Sequence, residues 1–534
     1  MIRRKELLEM STRAYSEAND KRNFLSILLG VYVISIGVGF PLVVRDRYFD
    51  ILVFKYYYYC FCTITMIVLI LGYLFVTQIS DITSSGKKNN IKSFVHRFTL
   101  VDLFVFLYWL IAIISTVTSD YLYEAFWGNE GRFTGLFLIS WYVLSYFCIS
   151  RFWRYKSLYI DLILIAGILV CLFGITDYFN MDIFHFRAPM IAEQRSIFTS
   201  TLGNINTYTA YVGIITAIAT VLFATEKKRI KVIWYFICMV ICFFAIIMGV
   251  SDNAYLSLTA LFGFLPLYLF KTKNGIQRYL VTIATFFAVT QCIDWINTFM
   301  KDKVIGIDSA FNIVICLPWL HYLVLILWVI VAAWYIYDWK TKKEIKVNGN
   351  KFVYLWLGVI AAVISGIIYI FYDCNVAGNA DKYSAASNYI LFNDEWGTHR
   401  GYIWRKAMEC YSELSFWKKM IGYGPETFGI LVMAKTANNP YNELFDSAHN
   451  EYLHMLVTVG IMGLSAYLFS IAAFIKKCFV SKNKEPHIIA VVFGVICYGT
   501  QAFVNLNLPI VTPMLWLLLG IGAAYYRNDN IVNN

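Results

Sequence analysis

The chain has 534 residues, 59% of them hydrophobic and 15% charged, with a mean hydropathy of +0.60. That leaves too few charged residues to clothe a soluble protein, so a soluble protein is excluded. A net charge of +11 would suit nucleic acid in a soluble chain, but the positions of these charges assign them otherwise.

Apolar runs of about 20 residues, enough to cross a bilayer as helix, recur along the whole sequence. They fall at roughly 24–44, 56–76, 100–118, 133–150, 158–175, 205–224, 232–250, 254–270, 280–300, 312–337, 352–372, 452–475, 487–504 and 509–526. The runs are continuously apolar rather than alternating, which predicts helices and not barrel strands. Gly39-Phe40-Pro41-Leu42 is a poor cleavage site, so the first run is expected to be a retained helix. The basic clusters Arg3-Arg4-Lys5, Lys87-Lys88, Arg151/Arg154/Lys156, Lys227-Lys228-Arg229, Lys340/Lys342/Lys343 and Lys476-Lys477 share one side if the N-terminus is cytoplasmic. About 30 of the 45 Lys and Arg then lie inside, as the positive-inside rule requires. The expected fold class is an all-α integral membrane protein of about 14 transmembrane helices, one polytopic domain over 1–534. Both termini would be cytoplasmic, and 373–450 would be one large extracytoplasmic loop. The charge reports topology, and no nucleic-acid partner is expected.

The outer segments 119–132, 176–204 and 301–311 are shorter than 373–450, whose Trp396, Trp404, Trp417, Phe416, Phe428 and Phe445 argue against disorder. Residues 400–414 set Ile403, Trp404, Ala407, Met408, Tyr411 and Leu414 in one stripe, with Arg405, Lys406, Glu409 and Glu413 opposite. This spacing predicts a surface helix lying along the membrane or over the mouth of the bundle. Gly422-Tyr423-Gly424-Pro425 predicts a turn. Asp446 or Ser447 would cap the helix that becomes the twelfth span. Cys374 and Cys410 could pair in an oxidising compartment. No paired CxxC arrangement occurs, so a structural zinc site is not expected.

His449 would sit in the first turn of that twelfth helix, where the positive end of the dipole keeps imidazole neutral and able to accept a proton. The same helix end offers N–H groups to a pyrophosphate. The competing reading is a polar cap or a headgroup contact. Arg132, Arg195 and Arg400 lie in outer segments, against the topological bias, and guanidinium pairs bidentately with phosphate oxygens. Taken singly, each could equally be a snorkelling anchor. His399 reads as a solvent-facing neighbour of Arg400, and Glu451 with His454 as a pair on one helix face. Asp102, Asp161 and His321, near span ends, read as interfacial or bundle-facing groups.

Asp446-Ser447-Ala448-His449-Asn450-Glu451-Tyr452-Leu453, followed by Val459-Gly460-Ile461-Met462-Gly463-Leu464, resembles the (D/S)xAHNxYL…xxGIxGL signature of the O-antigen ligase/polymerase family. Arg400-Gly401-Tyr402-Ile403-Trp404-Arg405-Lys406-Ala407 and Ile421-Gly422-Tyr423-Gly424-Pro425-Glu426-Thr427-Phe428 resemble its RxxxWxxA and GxGxxxF elements. Arg132-Phe133-Thr134-Gly135-Leu136-Phe137 and Leu202-Gly203-Asn204-Ile205-Asn206 resemble earlier segments, so the similarity runs over 128–475. It implies a multi-pass glycosyltransferase of the bacterial cytoplasmic (inner) membrane with an extracytoplasmic active face and membrane lipid around it. The implied donor is a polyprenyl-pyrophosphate-linked glycan, and the acceptor a glycan, lipid or protein. Neither a metal nor any other cofactor is implied. His449 matches the family's functional histidine and Arg400 a positive residue of the same loop. Arg195, Arg132, Asn450 and Glu451 are the remaining candidates for holding pyrophosphate or glycan. Ser251-Asp252-Asn253-Ala254 departs from the family, which often has Ser-Arg there, so one expected arginine is absent.

The chemistry suits these residues. The donor carries its activation in a pyrophosphate leaving group, so a neutral base and a fixed cation suffice. The polyprenyl tail would lie in a groove between apolar helices. The rivals are a flippase or transporter of lipid-linked glycan, disfavoured by the absence of an inverted repeat, and a transferase using Asp46, whose neighbours Arg45 and Arg47 would pair with it or with lipid headgroups. No GxxxxGK[ST], HExxH, GxSxG or dinucleotide fingerprint occurs.

Overall fold

A computed structural model describes residues 23–85, 98–129, 131–341, 348–481 and 484–532. The clusters at Arg3-Arg4-Lys5, Lys87-Lys88 and Lys342/Lys343 lie outside the described residues. Each of the fourteen apolar runs is largely helical, although the tenth is interrupted at Cys316–Trp319 between Phe311–Ile315 and a longer helix, and the protein is an all-α integral membrane protein. Before the long loop come α1 (Asn23–Leu42), α2 (Ile51–Ser85), α3 (Leu100–Val117), α4 (Leu136–Phe152), α5 (Leu158–Tyr178), α6 (Ile205–Thr225), α7 (Arg229–Met248), α8 (Asn253–Leu269), α9 (Lys273–Phe299), α10 (Leu320–Thr341) and α11 (Gly349–Asn375). Two helices of the loop follow, α12 (Trp396–Glu413) and α13 (Phe428–Thr436), then α14 (Glu451–Thr458), α15 (Gly460–Val480), α16 (Pro486–Gln501) and α17 (Thr512–Val532). Among the described residues, eleven helices are long and apolar enough to cross a membrane, whereas α4 and α8 are shorter apolar helices.

Burial sorts the helices into an inside and a rim. α6 is covered along its whole length, and α16 and α7 are its main neighbours. α10 and α11 expose most of their apolar side chains, as helices facing lipid should. Two acids inside are paired. Asp102 caps α3 and accepts from Arg151 at 3.2 Å, Arg527 at 2.9 Å and Tyr146 at 2.9 Å. Asp161 meets Lys231 at 3.2 Å and His487 at 3.1 Å. Asp102 takes Arg151 from a basic cluster, and Asp161 takes Lys231, two residues past another.

The other helix ends carry the long loop. Ile305 N–H donates to the Tyr178 carbonyl, Ala310 N–H to Asp252, and the Ser119 hydroxyl to the Tyr423 carbonyl. The loop has its own core of Tyr402, Ile403, Ala407, Cys410, Phe428, Val432 and Phe445. Cys374 and Cys410 are separate thiols. Arg45 pairs with Asp50, not with Asp46.

The twelfth run is broken where a continuous helix was expected. α14 ends at Val459, and Gly460 (φ +70°) restarts the chain as α15. The break frees carbonyls that the glycine-rich turn then satisfies: Tyr423 N–H donates to Val457 O at 3.0 Å and Gly424 N–H to Thr458 O at 2.9 Å. The approach is backbone to backbone, since a Cβ on Gly460 would stand 2.4 Å from the Met420 carbonyl oxygen. Gly460→Ala is therefore expected to lower stability by about 1–3 kcal/mol, read as a fall in the thermal midpoint in detergent. An unchanged midpoint would show that the turn docks differently.

Candidate active site

α14 is capped by Asn450, whose Oδ1 accepts from Tyr452 N–H and Leu453 N–H, each at 3.0 Å. Neither Asp446 nor Ser447 is the cap, and His449 precedes the helix instead of lying in its first turn. Its backbone is left-handed (φ 47°), an uncommon conformation for a non-glycine residue. Two contacts hold it there. His449 N–H donates to Ser447 Oγ at 3.2 Å, and Trp404 Nε1 donates to the neighbouring Ala448 carbonyl at 2.7 Å. Trp404 is one helical turn from Arg400, so α12 positions the arginine and the histidine strand together. The regular part of α12 starts at Arg400, because Gly397, Thr398 and His399 have positive φ.

The electrostatics differ from the helix-end expectation. Burial lowers the His449 imidazole to about 4, and the charges of Arg400 and Arg132 add to the effect. The ring is neutral at pH 7, with burial and two arginines as the cause. Burial also lowers Arg400, whereas Asp252 raises it. Arg400 has no hydrogen bond or ion pair among the described residues, which leaves its planar donors available to an anion.

Arg132 is engaged with protein. It grips Asp446 through Nε at 3.1 Å and Nη2 at 2.5 Å, tying the segment before α4 to the residues preceding His449. Beside it Glu426, 3% exposed, accepts from Asn129 at 3.1 Å and from the Thr134 hydroxyl. Burial raises Glu426 to about 7, although Arg132 lowers it. Neither Asp446 nor Glu426 was singled out as a site residue from sequence. The one signal was an acid in the otherwise uncharged Ile421–Phe428 stretch.

Arg195 lies apart, exposed on a 3₁₀ turn and donating to Met190 O at 3.1 Å and Ala188 O at 3.3 Å within its own segment. The buried arginine of that segment is Arg187, which bridges Phe198 O and Asp177 O. His399 stacks on Tyr441 with centroids 3.7 Å apart and bonds Glu443 at 3.1 Å, so it is a partly exposed side chain held by two neighbours. Glu451 and His454 do not pair: His454 stacks on Phe428, whereas Glu451 accepts from Tyr467 at 2.8 Å, Tyr498 at 3.0 Å and Asn507 at 3.4 Å. Glu451→Ala leaves the buried Tyr467 hydroxyl without its acceptor and removes one partner each from Tyr498 and Asn507, and is expected to cost about 1–3 kcal/mol, visible as a lower thermal midpoint. Burial raises the Glu451 carboxyl from 4.5 to about 7. Folding therefore binds its proton more tightly, and this group's contribution to stability falls as pH rises from 4.5 through about 7. Glu451→Gln is expected to keep the fold and lose that part of the pH slope.

Two cavities flank these residues. One, of about 650 Å³, is lined by Arg400, Trp396 and Tyr389 of the loop, by Asp252 and Tyr255 at the start of α8, and by Phe503 beyond α16. Asp252 occupies the place where an arginine is expected, so the cavity opposes one cation with an acid. The other, of about 580 Å³, is apolar and lies among α8, α15 and α16, with Tyr452 at one end and Lys271 and Lys484 in its lining.

A neutral imidazole beside an unengaged arginine, next to an apolar cavity within a membrane bundle, fits the family suggested by the motifs. Residues 317–468 match the O-antigen ligase family. The match takes in Arg400, His449, Asn450 and Glu451, while Arg132 and Arg195 precede it. No curated protein matches the chain. The matched domain, in a chain of many apolar helices, supports a multi-pass membrane protein with a role of the O-antigen ligase and polymerase type.

Proposed function

We propose that the protein transfers a glycan from a polyprenyl-pyrophosphate carrier to an acceptor hydroxyl at the outer face of the bacterial inner membrane. The observation that carries this reading is the pairing of His449, lowered to about 4, with Arg400, which has no hydrogen bond or ion pair among the described residues. His449 takes the proton of the acceptor hydroxyl as its oxygen attacks the anomeric carbon. The bond from that carbon to pyrophosphate breaks, the electron pair leaves with the polyprenyl pyrophosphate, and Arg400 meets the growing charge. One attack inverts the anomeric configuration. Arg132 acts at one remove by holding Asp446, and Asn450 and Glu451 shape the start of α14. The apolar cavity among α8, α15 and α16 suits the polyprenyl tail. The distribution of Lys and Arg supports an outward-facing loop.

Purified protein in detergent, given a synthetic polyprenyl-pyrophosphate oligosaccharide and a hydroxyl acceptor, is expected to release polyprenyl pyrophosphate and form an inverted glycoside. A retained anomer would overturn the single displacement. Movement of the glycolipid across a liposome bilayer with no covalent product would identify a transporter instead.

A further inference from the structure

The 650 Å³ cavity carries more information than the transfer reaction uses. Its volume exceeds what one sugar ring fills, and its walls alternate aromatic faces with amides and hydroxyls. Trp396 and Tyr389 offer flat apolar surface to the C–H face of a pyranose, while Asn388, Asn393 and Thr398 can exchange hydrogen bonds with ring hydroxyls. Its charges are unbalanced. Asp252 and Glu395 are both exposed, and Arg400 is the one cation of the lining. Asp252 is held in place by Ala310 N–H at 3.0 Å, so its carboxylate has a fixed position. If Arg400 is taken by pyrophosphate, what remains of the cavity has two carboxylates and no cation.

We propose that this cavity is a saccharide subsite that accepts an uncharged or amino-bearing sugar and rejects a carboxylate-bearing one, with Asp252 as the selecting residue. The inference rests on the transfer reading for its occupant, and it deepens that reading by naming the sugar class. A uronate entering the cavity meets like charge from Asp252 and Glu395, whereas an ammonium group on a sugar pairs with them.

The test uses full-length protein in detergent, with Arg400 occupied by saturating inorganic pyrophosphate, titrated with three lipid-free probes: the trimers of N-acetylglucosamine, glucosamine and galacturonic acid. Binding is read by tryptophan fluorescence against a Trp396→Phe control, and by calorimetry. The glucosamine and N-acetylglucosamine trimers are expected to bind at least about ten-fold more tightly than the galacturonate trimer, a difference of about 1.4 kcal/mol. Asp252→Asn should narrow that ratio, and Asn388→Ala should weaken the two favoured probes alike. Equal affinity for galacturonate, no binding of any probe, or a ratio indifferent to Asp252→Asn would overturn the subsite. Transfer from a lipid-linked donor, measured in the same preparation, separates the two claims. Transfer without the binding order sinks the subsite alone, and the binding order without transfer sinks the reaction and leaves a saccharide site.

Discussion

His449→Ala is expected to lower the rate of glycan transfer by about 100- to 10,000-fold, the range for removal of a general base, with little change in the KM for the donor. The fold should survive, because the ring makes no hydrogen bond among the described residues and the strand is pinned through the backbone by Trp404 and Ser447. The pH profile gives an independent check. With the imidazole lowered from 6.5 to about 4, the base form predominates above that value. The rate governed by this group should stay level as pH falls through 6.5 and drop only on approaching about 4. A limb centred near 6.5 would mean that the ring is solvated and remote from Arg400 and Arg132. The same lowering makes His449 a source of acid lability: between 6.5 and about 4 the unfolded chain binds the extra proton, so this group's contribution to stability falls with pH. His449→Ala should remove that part of the acid slope. Transfer at the wild-type rate in this variant would end the assignment of His449 as base.

Arg400→Gln is the second large effect. Loss of one preorganised charged donor is expected to reduce kcat by about 100- to 1,000-fold. The two arginines also lower His449, so Arg400→Gln should move the acid limb upward toward 6.5. Arg400→Lys keeps the charge and loses the planar fork. It should leave the acid limb near its wild-type position while recovering only part of kcat. That split separates a direct contact with the leaving group from a structural role, which would not move the pH profile. An unchanged limb in Arg400→Gln, with kcat also intact, would remove Arg400 from the site.

Much of the architecture is legible in the sequence because its determinants are local. A run of about twenty apolar residues can satisfy its backbone in lipid only as helix, and the fourteen runs are helical, the tenth and twelfth each broken into two helices. The stripe from Ile403 to Leu414 foretells α12 for the same reason: amphipathic spacing needs no knowledge of distant residues. Where the local rule had several solutions, it chose wrongly. Asp446, Ser447 and Asn450 are all good caps, and docking of Tyr423 and Gly424 on the carbonyls of Val457 and Thr458 accompanies a short α14 capped by Asn450.

The long loop between α11 and α14, its candidate histidine and its candidate arginine were thus determined by the sequence, through hydropathy and motif order. The tertiary structure decided what surrounds them. Arg132 and Asp446 are 314 positions apart, and Asn129 and Glu426 are 297 apart, separations at which spacing carries no signal. Bundle packing alone brings them beside His449, and burial there lowers the imidazole far below what a helix end in water can achieve. It also sorts the arginines, leaving Arg400 unengaged at a cavity with Asp252, Arg132 locked to Asp446 and Arg195 on a separate surface. Charge is written in the sequence, but whether a charge is free to act depends on the partners that folding supplies.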